Sequence, residues 1–152
     1  MQDFDRKRQM KNGDLAASRF AAYPIYLSTR DMWPFVSSPR SLAYRKIDGD
    51  FAVAGQITPE EVAKIAEAGF KTIVCARPDR EEASQPDFSV IASAARTVGL
   101  HAVHIPVSGG IGEGQLIRME AALKELPKPM LGYCRSGARA GSLYSTTRRA
   151  MA

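Results

Sequence analysis

Two short stretches, residues 44–47 and 51–54, begin or end on large apolar residues and are short enough for strands. The Asp48-Gly49-Asp50 segment between the stretches favours a tight turn, so the sequence predicts a hairpin. Downstream, apolar residues recur at helical spacing after a Thr-Pro-Glu-Glu start and stop before Gly69. This pattern predicts a helix over residues 58–68.

The same alternation of strand and helix patterns continues to the end of the chain. The predicted strands are residues 71–75, 100–107 and 130–133, and the predicted helices are residues 88–98 and 115–126. Strands that alternate with helices favour a parallel sheet covered by helices on both faces. We therefore predict an α/β three-layer fold with a mainly parallel central sheet.

Residues 1–42 carry no clear period, and prolines interrupt them. A short helix over residues 14–22 is compatible with the pattern, using Asp14 as its N-cap. We interpret the segment as an irregular extension that precedes a domain of residues 43–152. The segment could be an arm that packs on the domain or on a partner. The alternatives are a disordered tail and a start of the sequence that is too long. The aromatic residues that favour such an arm are Tyr23, Tyr26, Trp33 and Phe35.

The composition bounds the compartment and the class of protein. Two cysteines in 152 residues are too few for a disulfide scaffold, which favours a reducing compartment. No apolar run approaches the length of a membrane span, and the first 30 residues lack a signal-peptide core. The sequence therefore predicts a soluble cytoplasmic protein.

The net charge and the spacing of the histidines limit the classes of ligand that the protein is expected to bind. The net charge of +5 fits a small acidic substrate, while the basic residues are scattered among acidic ones and do not favour nucleic-acid binding. His101 and His104 lie three positions apart on a predicted strand and point to opposite faces. Metal binding is therefore not supported, and no cofactor is predicted.

Candidate chemistry concentrates where the apolar run over residues 130–133 ends at Cys134. A loop that feeds a helix N-terminus directs unpaired backbone N–H groups at one point, and the helix dipole adds positive charge there. A thiol at that point ionises readily, and the thiolate is a nucleophile. We therefore predict Cys134 as the nucleophile and Arg139 as a catalytic group that binds an oxyanion. The predicted anion-binding residues of this loop are Arg135, Ser136, Gly137 and Ala138.

The loop over residues 77–82 leaves the same edge of the predicted sheet, because it follows the strand that ends at Cys75. Arg77 is a further anion-binding candidate. Asp79 is a catalytic candidate, as a general acid or loop organiser that faces Cys134, and an ordinary turn aspartate is the alternative. Cys75 has two interpretations, a resolving thiol beside Cys134 or a buried core cysteine.

Four segments resemble the phosphatase-like domain of beta-lactamase-hydrolase-like proteins, a family with a protein tyrosine phosphatase-like fold. These segments are residues 51–56, 75–82, 104–107 and the Cys134 loop, and the resemblance covers roughly residues 43–149. The six residues from Cys134 to Arg139 are similar to the active-site loop of rhodanese-type sulfurtransferases. Protein tyrosine phosphatases have one residue more between cysteine and arginine, so the resemblance implies a loop that suits a sulfur atom.

The resemblance implies one leading function and leaves two others open. The leading hypothesis is a Cys-dependent sulfurtransferase that carries a persulfide on Cys134, with a small sulfane-sulfur donor and a thiol acceptor as partners. The alternatives are a phosphatase that forms a cysteinyl-phosphate on Cys134 from a phosphoester, and a non-catalytic anion-binding module. No oligomeric state is predicted.

Two departures from phosphatases favour sulfur transfer. Dual-specificity phosphatases have an aspartate general acid where this chain has Ser108, Gly109 and Gly110, and general acids are worth roughly 10² to 10⁴ in rate. Phosphatases also usually have a serine or threonine at the position of Ala140, where it helps to release the cysteinyl phosphate. Unless Asp79 or Glu113 supplies the proton, the resemblance implies inefficient phosphate-ester cleavage.

Overall fold

A computed structural model describes residues 41–152. The predicted helix over residues 14–22 and the interpretations of the N-terminal extension lie outside the described residues. The elements, in chain order, are β1 (Arg45–Lys46), β2 (Phe51–Ala54), a 3-10 turn (Pro59–Glu61), α1 (Val62–Glu67), β3 (Thr72–Cys75), α2 (Phe88–Thr97), β4 (His101–His104), α3 (Glu113–Glu125), β5 (Met130–Tyr133) and α4 (Ala138–Met151).

The five strands form one sheet in the order β1-β2-β5-β3-β4. β1 pairs antiparallel with β2, and the other three pairings are parallel. The predicted α/β fold with a mainly parallel sheet is therefore confirmed. β5 lies at the centre, and its position brings the loop that follows it between the carboxyl ends of β2 and β3, the edge at which parallel sheets build sites.

Two hydrophobic cores lie on opposite faces of the sheet, because successive strand residues alternate between them. One core joins residues of α3 and α4 to Phe51, Val74 and Met130. The other joins residues of α1 and α2 to Ile73 and Leu131. Each helix pair covers one face, which gives the predicted three layers.

The boundaries of two elements differ from the prediction. In one case a side chain accepts a backbone N–H at a helix start, and in the other a proline has no N–H to donate. α3 begins two residues earlier than predicted, where the Gln115 side chain accepts the Gly112 N–H at 2.9 Å. β4 ends at His104 although the apolar run continues to Val107. Pro106 has no N–H to donate, and beyond it the Val107 N–H still donates to the Ala76 carbonyl at 3.0 Å.

Gly132 lets α4 and the Phe51 ring pack directly against β5. A Cβ at this position would lie 2.5 Å from the Phe51 ring and 3.1 Å from the Ala140 Cβ. The Phe51 ring in turn stacks on Tyr144 of α4, with 4.2 Å between the ring centroids. This packing fixes the start of α4 over the end of β5, which is where Cys134 lies. None of the helices within residues 41–152 has the length and apolarity needed to span a membrane.

Candidate active site

The loop between β5 and α4 is held in a tight turn against the end of β2. Gly137 has φ +93°, which side chains rarely adopt, and a Cβ there would lie 3.2 Å from the Ala54 carbonyl oxygen. On the other side of the contact, a Cβ at Gly55 would lie 3.2 Å from the Arg135 carbonyl oxygen. The two glycines therefore allow the backbones to approach, and this fixes where the loop amides point.

The Cys134 thiol lies inside this turn, and only 1% of the residue surface is exposed. The Gly137 N–H donates to its Sγ at 3.1 Å. Burial raises the pKa of the thiol, but hydrogen bonds from the backbone N–H groups of Ala140, Ser136, Arg139 and Gly137 outweigh burial and lower it. The loop therefore stabilises a thiolate, the form that acts as a nucleophile.

Arg139 connects this turn to the loop after β3. Its Nη1 and Nη2 donate to the two carboxylate oxygens of Glu81 at 2.6 and 2.9 Å, and Nη1 also donates to the Val107 carbonyl at 3.0 Å. The hydrogen bond to Glu81, opposed by burial, raises the pKa of Arg139, and a further contribution comes from a hydrogen bond to Cys134. The guanidinium thus lies between the Glu81 carboxylate and the thiol.

Glu81 is an ion-pair centre rather than a proton donor. Hydrogen bonds from Arg139 and then Arg77 lower the pKa of its carboxyl to about 2. The Arg77 Nε donates to Glu81 at 2.8 Å, and the Arg77 Nη1 donates to the Gln56 Oε1 at 2.9 Å. Arg77, a predicted anion-binding residue, is almost fully buried. It is linked to Arg139 through Glu81, which accepts hydrogen bonds from both arginines.

Asp79 supports the loop at a different point. Its Oδ1 accepts the Phe88 N–H at 2.8 Å, at the first residue of α2. An unpaired N–H at a helix start is a favourable partner for a carboxylate. This contact corresponds to the loop-organising role that the sequence left open, while the general-acid role stays a prediction.

Arg135 lies at the outside of the loop, with 72% of its side chain exposed. Its Nε lies 3.2 Å from the Glu82 Oε1, in a solvent-accessible ion pair. Ser136 accepts the Ala138 N–H through its Oγ at 3.4 Å. The two arginines are therefore in different environments, one at the entrance and one beside the thiol.

Cys75 is buried on the other face of the sheet. It belongs to the core under α1 and α2, whereas Cys134 belongs to the core under α3 and α4. Its Sγ donates to the Arg77 carbonyl at 3.3 Å, and burial raises the pKa of its thiol. The geometry fits the buried core cysteine rather than a resolving thiol.

Sequence reasoning assigned no role to Glu81 or Gln56. Gln56 lies just after β2, and Glu81 lies in the loop after β3, so both belong to segments that carry the family resemblance. The available signal was their place at the carboxyl ends of the strands that flank β5. Within residues 41–152, no group of three or more histidine, cysteine or acidic side chains is arranged to hold a metal ion.

Comparisons with known proteins agree with this geometry. Residues 43–151 match the family model described as beta-lactamase hydrolase-like protein, phosphatase-like domain. The beta-lactamase hydrolase-like proteins of Agrobacterium fabrum and Xylella fastidiosa are 35% and 34% identical to this chain over 100 residues. Each match covers 65% of this chain and 23% of the relative, so the chain spans less than a quarter of those proteins.

Solved structures show the same fold. A candidate phosphatase from Neisseria meningitidis is 33% identical, with a TM-score of 0.63 over 72% of this chain and 78% of that chain. A candidate phosphatase from Shewanella putrefaciens is 18% identical, with a TM-score of 0.59 over 74% of this chain and 75% of that chain, and shows the fold alone. The predicted resemblance is therefore confirmed. These comparisons support the phosphatase alternative better than the sulfurtransferase hypothesis that led from the sequence, and they do not support sulfur transfer.

Proposed function

Because this chain belongs to the family of the beta-lactamase hydrolase-like phosphatase-like domain, we propose that it is a Cys-based phosphohydrolase acting on a small anionic phosphoester or a phosphoprotein. The observation that carries the proposal is the position of the Cys134 sulfur in the turn between β5 and α4, where it accepts a hydrogen bond from the Gly137 N–H at 3.1 Å. The backbone N–H groups of this turn lower the pKa of the buried thiol. A thiolate held in a turn of N–H donors can attack a phosphorus atom while the donors bind the oxygens around it.

The reaction is a double displacement at phosphorus. The Cys134 Sγ forms a bond to phosphorus as the bond to the leaving oxygen breaks, and the electron pair leaves with that oxygen. Water then attacks the cysteinyl phosphate, which restores the thiolate and releases inorganic phosphate. Arg139 and the loop amides would stabilise the charge on the equatorial oxygens in both steps.

The reaction should be fastest with substrates whose leaving group is stable without a proton. Glu81 is ionised at neutral pH, because its pKa lies at about 2, and cannot donate a proton to a leaving oxygen. The chain has Ser108, Gly109 and Gly110 after β4, where no carboxylate is available. Unless Asp79 or Glu113 supplies the proton, the leaving oxygen departs without a general acid, which lowers the rate by roughly 10² to 10⁴ for a basic leaving group. Aryl phosphates and phosphoanhydrides should therefore react faster than alkyl phosphates.

The test compares hydrolysis of an aryl phosphate and an alkyl phosphate by the full chain, Cys134→Ser and Cys75→Ser. Cys75→Ser is the matched control, since a hydroxyl can keep the hydrogen bond to the Arg77 carbonyl. We expect aryl phosphate hydrolysis in the wild type and Cys75→Ser, and none in Cys134→Ser. Hydrolysis that survives in Cys134→Ser, or is absent from the wild type, would contradict the proposal.

Sulfur transfer is a second candidate, favoured by the length of the loop. Four residues separate Cys134 from Arg139, and Ala140 offers no hydroxyl to assist release of a cysteinyl phosphate. In this alternative the thiolate attacks the outer sulfur of thiosulfate, sulfite leaves, and the persulfide sulfur passes to a thiol or to cyanide. Thiocyanate formation from thiosulfate and cyanide, assayed beside phosphate release in the same variants, separates the two reactions. A protein that binds phosphate or thiosulfate but performs neither reaction would be an anion-binding module.

A further inference from the structure

Glu81 takes no part in the proposed displacement, yet it makes the shortest contacts to Arg139. We propose that Glu81 is a positioning residue that holds one edge of the Arg139 guanidinium, so that the opposite edge is presented to an anion at Cys134. The inference rests on the proposed function, because it concerns the anion that the same loop would bind. It also applies to the sulfur-transfer alternative, whose donor and leaving group are oxyanions.

The hydrogen bonds of Arg139 carry the argument. A guanidinium has five N–H donors in a fixed plane. Glu81 takes one from Nη1 and one from Nη2, and the Val107 carbonyl takes the other from Nη1. Neither of these oxygen acceptors takes the Nε–H or the second Nη2–H, which lie side by side on one edge and are the donors available to Cys134 and to an anion bound there. Such a pair matches two oxygens of a phosphate or sulfonate group.

The Glu81 carboxylate is itself held in place by Arg77. Its Oε1 also accepts the Arg77 Nε, and Arg77 is fixed by its second hydrogen bond to Gln56. The residue before Glu81, Arg80, has φ +63°, a conformation that a non-glycine residue adopts at a local cost in energy. The loop after β3 is therefore turned and braced so that both oxygens of Glu81 face Arg139.

The substitution Glu81→Gln changes the hydrogen bonds to Arg139 and leaves the size of the side chain unchanged. Glutamine keeps the length of the side chain, but one acceptor oxygen becomes an NH₂ group that faces a guanidinium donor. Arg139 would then rotate away from the geometry that leaves its free edge toward Cys134. We expect binding of inorganic phosphate to weaken about tenfold, comparable with the effect of losing the fork in Arg139→Lys.

A double-mutant cycle tests the coupling in the full chain. Phosphate affinity is measured as protection of Cys134 from iodoacetamide in the wild type, Glu81→Gln, Arg139→Lys and the double variant. We expect Glu81→Gln to lose about tenfold in the wild-type background and less than about twofold beside Arg139→Lys. Glu120→Gln is the control, because Glu120 pairs with Lys124 on the exposed surface of α3, and it should leave phosphate affinity unchanged.

Loosening of the whole loop would weaken phosphate binding equally in both backgrounds, because that effect does not act through Arg139. Equal affinity losses in both backgrounds, wild-type affinity in Glu81→Gln, or no protection of the wild type by phosphate would each overturn the inference. Coupled phosphate binding without any phosphoester hydrolysis would instead contradict the proposed function and leave the positioning role standing.

Discussion

Cys75 and Cys134 lie at the carboxyl ends of two adjacent parallel strands, and their thiols have opposite properties. Cys75 is the last residue of β3 and pairs in register with Tyr133, the residue before Cys134. Both cysteines are buried, with 2% and 1% of their surfaces exposed. Burial raises the pKa of Cys75, whereas the pKa of Cys134 is lowered. Exposure therefore does not distinguish the two residues.

The hydrogen bonds to each sulfur explain the difference. Burial raises the pKa of the Cys75 thiol, and the hydrogen bonds from the Tyr133 side chain and the Arg77 backbone, which lower it, do not outweigh burial. The Cys134 sulfur accepts hydrogen bonds from the Gly137 N–H and from other amides of the loop. These hydrogen bonds stabilise the thiolate more than the thiol, so they lower the pKa. One residue along the strand changes the face of the sheet, and the turn at Gly137 then supplies the donors. The reactivity of a thiol here follows from the backbone around it.

The largest expected contrast is in the alkylation of the two thiols in the native protein. At pH 7, iodoacetamide should modify Cys134 about a hundredfold or more faster than Cys75, because the fold favours the thiolate at Cys134 and disfavours it at Cys75. Peptide mass mapping after timed alkylation measures both rates in one sample. In denaturant the two rates should become similar, since the folded backbone creates the difference. Equal rates in the native protein would remove the basis of the comparison.

Arg139→Lys should have the next largest effect, since it changes only the environment of Cys134. Lysine keeps the charge but loses the guanidinium fork that binds Glu81 on one edge and an anion on the other. We expect kcat/KM to fall about tenfold or more, equivalent to about 1.4 kcal/mol of transition-state stabilisation. Steady-state kinetics with an aryl phosphate measures the effect, and near-wild-type kinetics would show that the fork is not used.

Gly137→Ala sharpens the comparison by disturbing the turn alone. A Cβ at φ +93° costs about 1–2 kcal/mol, and this Cβ would also lie 3.2 Å from the Ala54 carbonyl. The loop amides should shift, so that the alkylation midpoint of Cys134 rises toward ordinary thiol behaviour. Gly99→Ala is the matched control, because Gly99 has φ +78° but open space around its Cβ. Both variants should lose stability, and only Gly137→Ala should change the midpoint.

The pH dependence of stability should have opposite signs for the two thiols. The folded pKa of Cys134 is lowered, so its contribution to stability is present above the unfolded thiol pKa of about 8.5 and is lost as pH falls through the folded pKa. The folded pKa of Cys75 is raised, so its contribution is present below about 8.5 and is lost as pH rises through the folded pKa. Urea unfolding of the wild type, Cys134→Ser and Cys75→Ser between pH 6 and about 10 measures both differences. Differences of the same sign would contradict the opposed environments.

The parts of this site that follow from local backbone could be predicted from the sequence. An apolar strand, Cys134, Gly137 and Arg139 occur in an order that one local turn explains, and the alternation of patterns indicated the parallel sheet. The sheet edge that holds the site followed from the same pattern. Strand order could not be derived from periodicity, because β5 pairs with β2 and β3, which precede it by many residues.

The contacts that depend on this long-range pairing were missed for the same reason. Glu81 meets Arg139 across 58 positions in sequence, and Gln56 meets Arg77 across 21. Nothing local distinguishes Glu81 from Glu82, which pairs with the exposed Arg135. The choice between phosphate and sulfur also depends on the whole domain, which is why a six-residue loop favoured a function that the comparisons do not support.

Arg135→Lys should have the smallest effect and completes the contrast around Cys134. The Arg135 side chain is 72% exposed, and its ion pair with Glu82 lies in solvent, where such pairs are worth about 0–1 kcal/mol. Lysine keeps the charge at the entrance, so kcat/KM for an aryl phosphate should change by less than about threefold and depend on salt. Parallel kinetics with Arg139→Lys at two ionic strengths measures the difference. If Arg135→Lys were the more damaging of the two, the entrance arginine, and not the one held by Glu81, would bind the reacting anion.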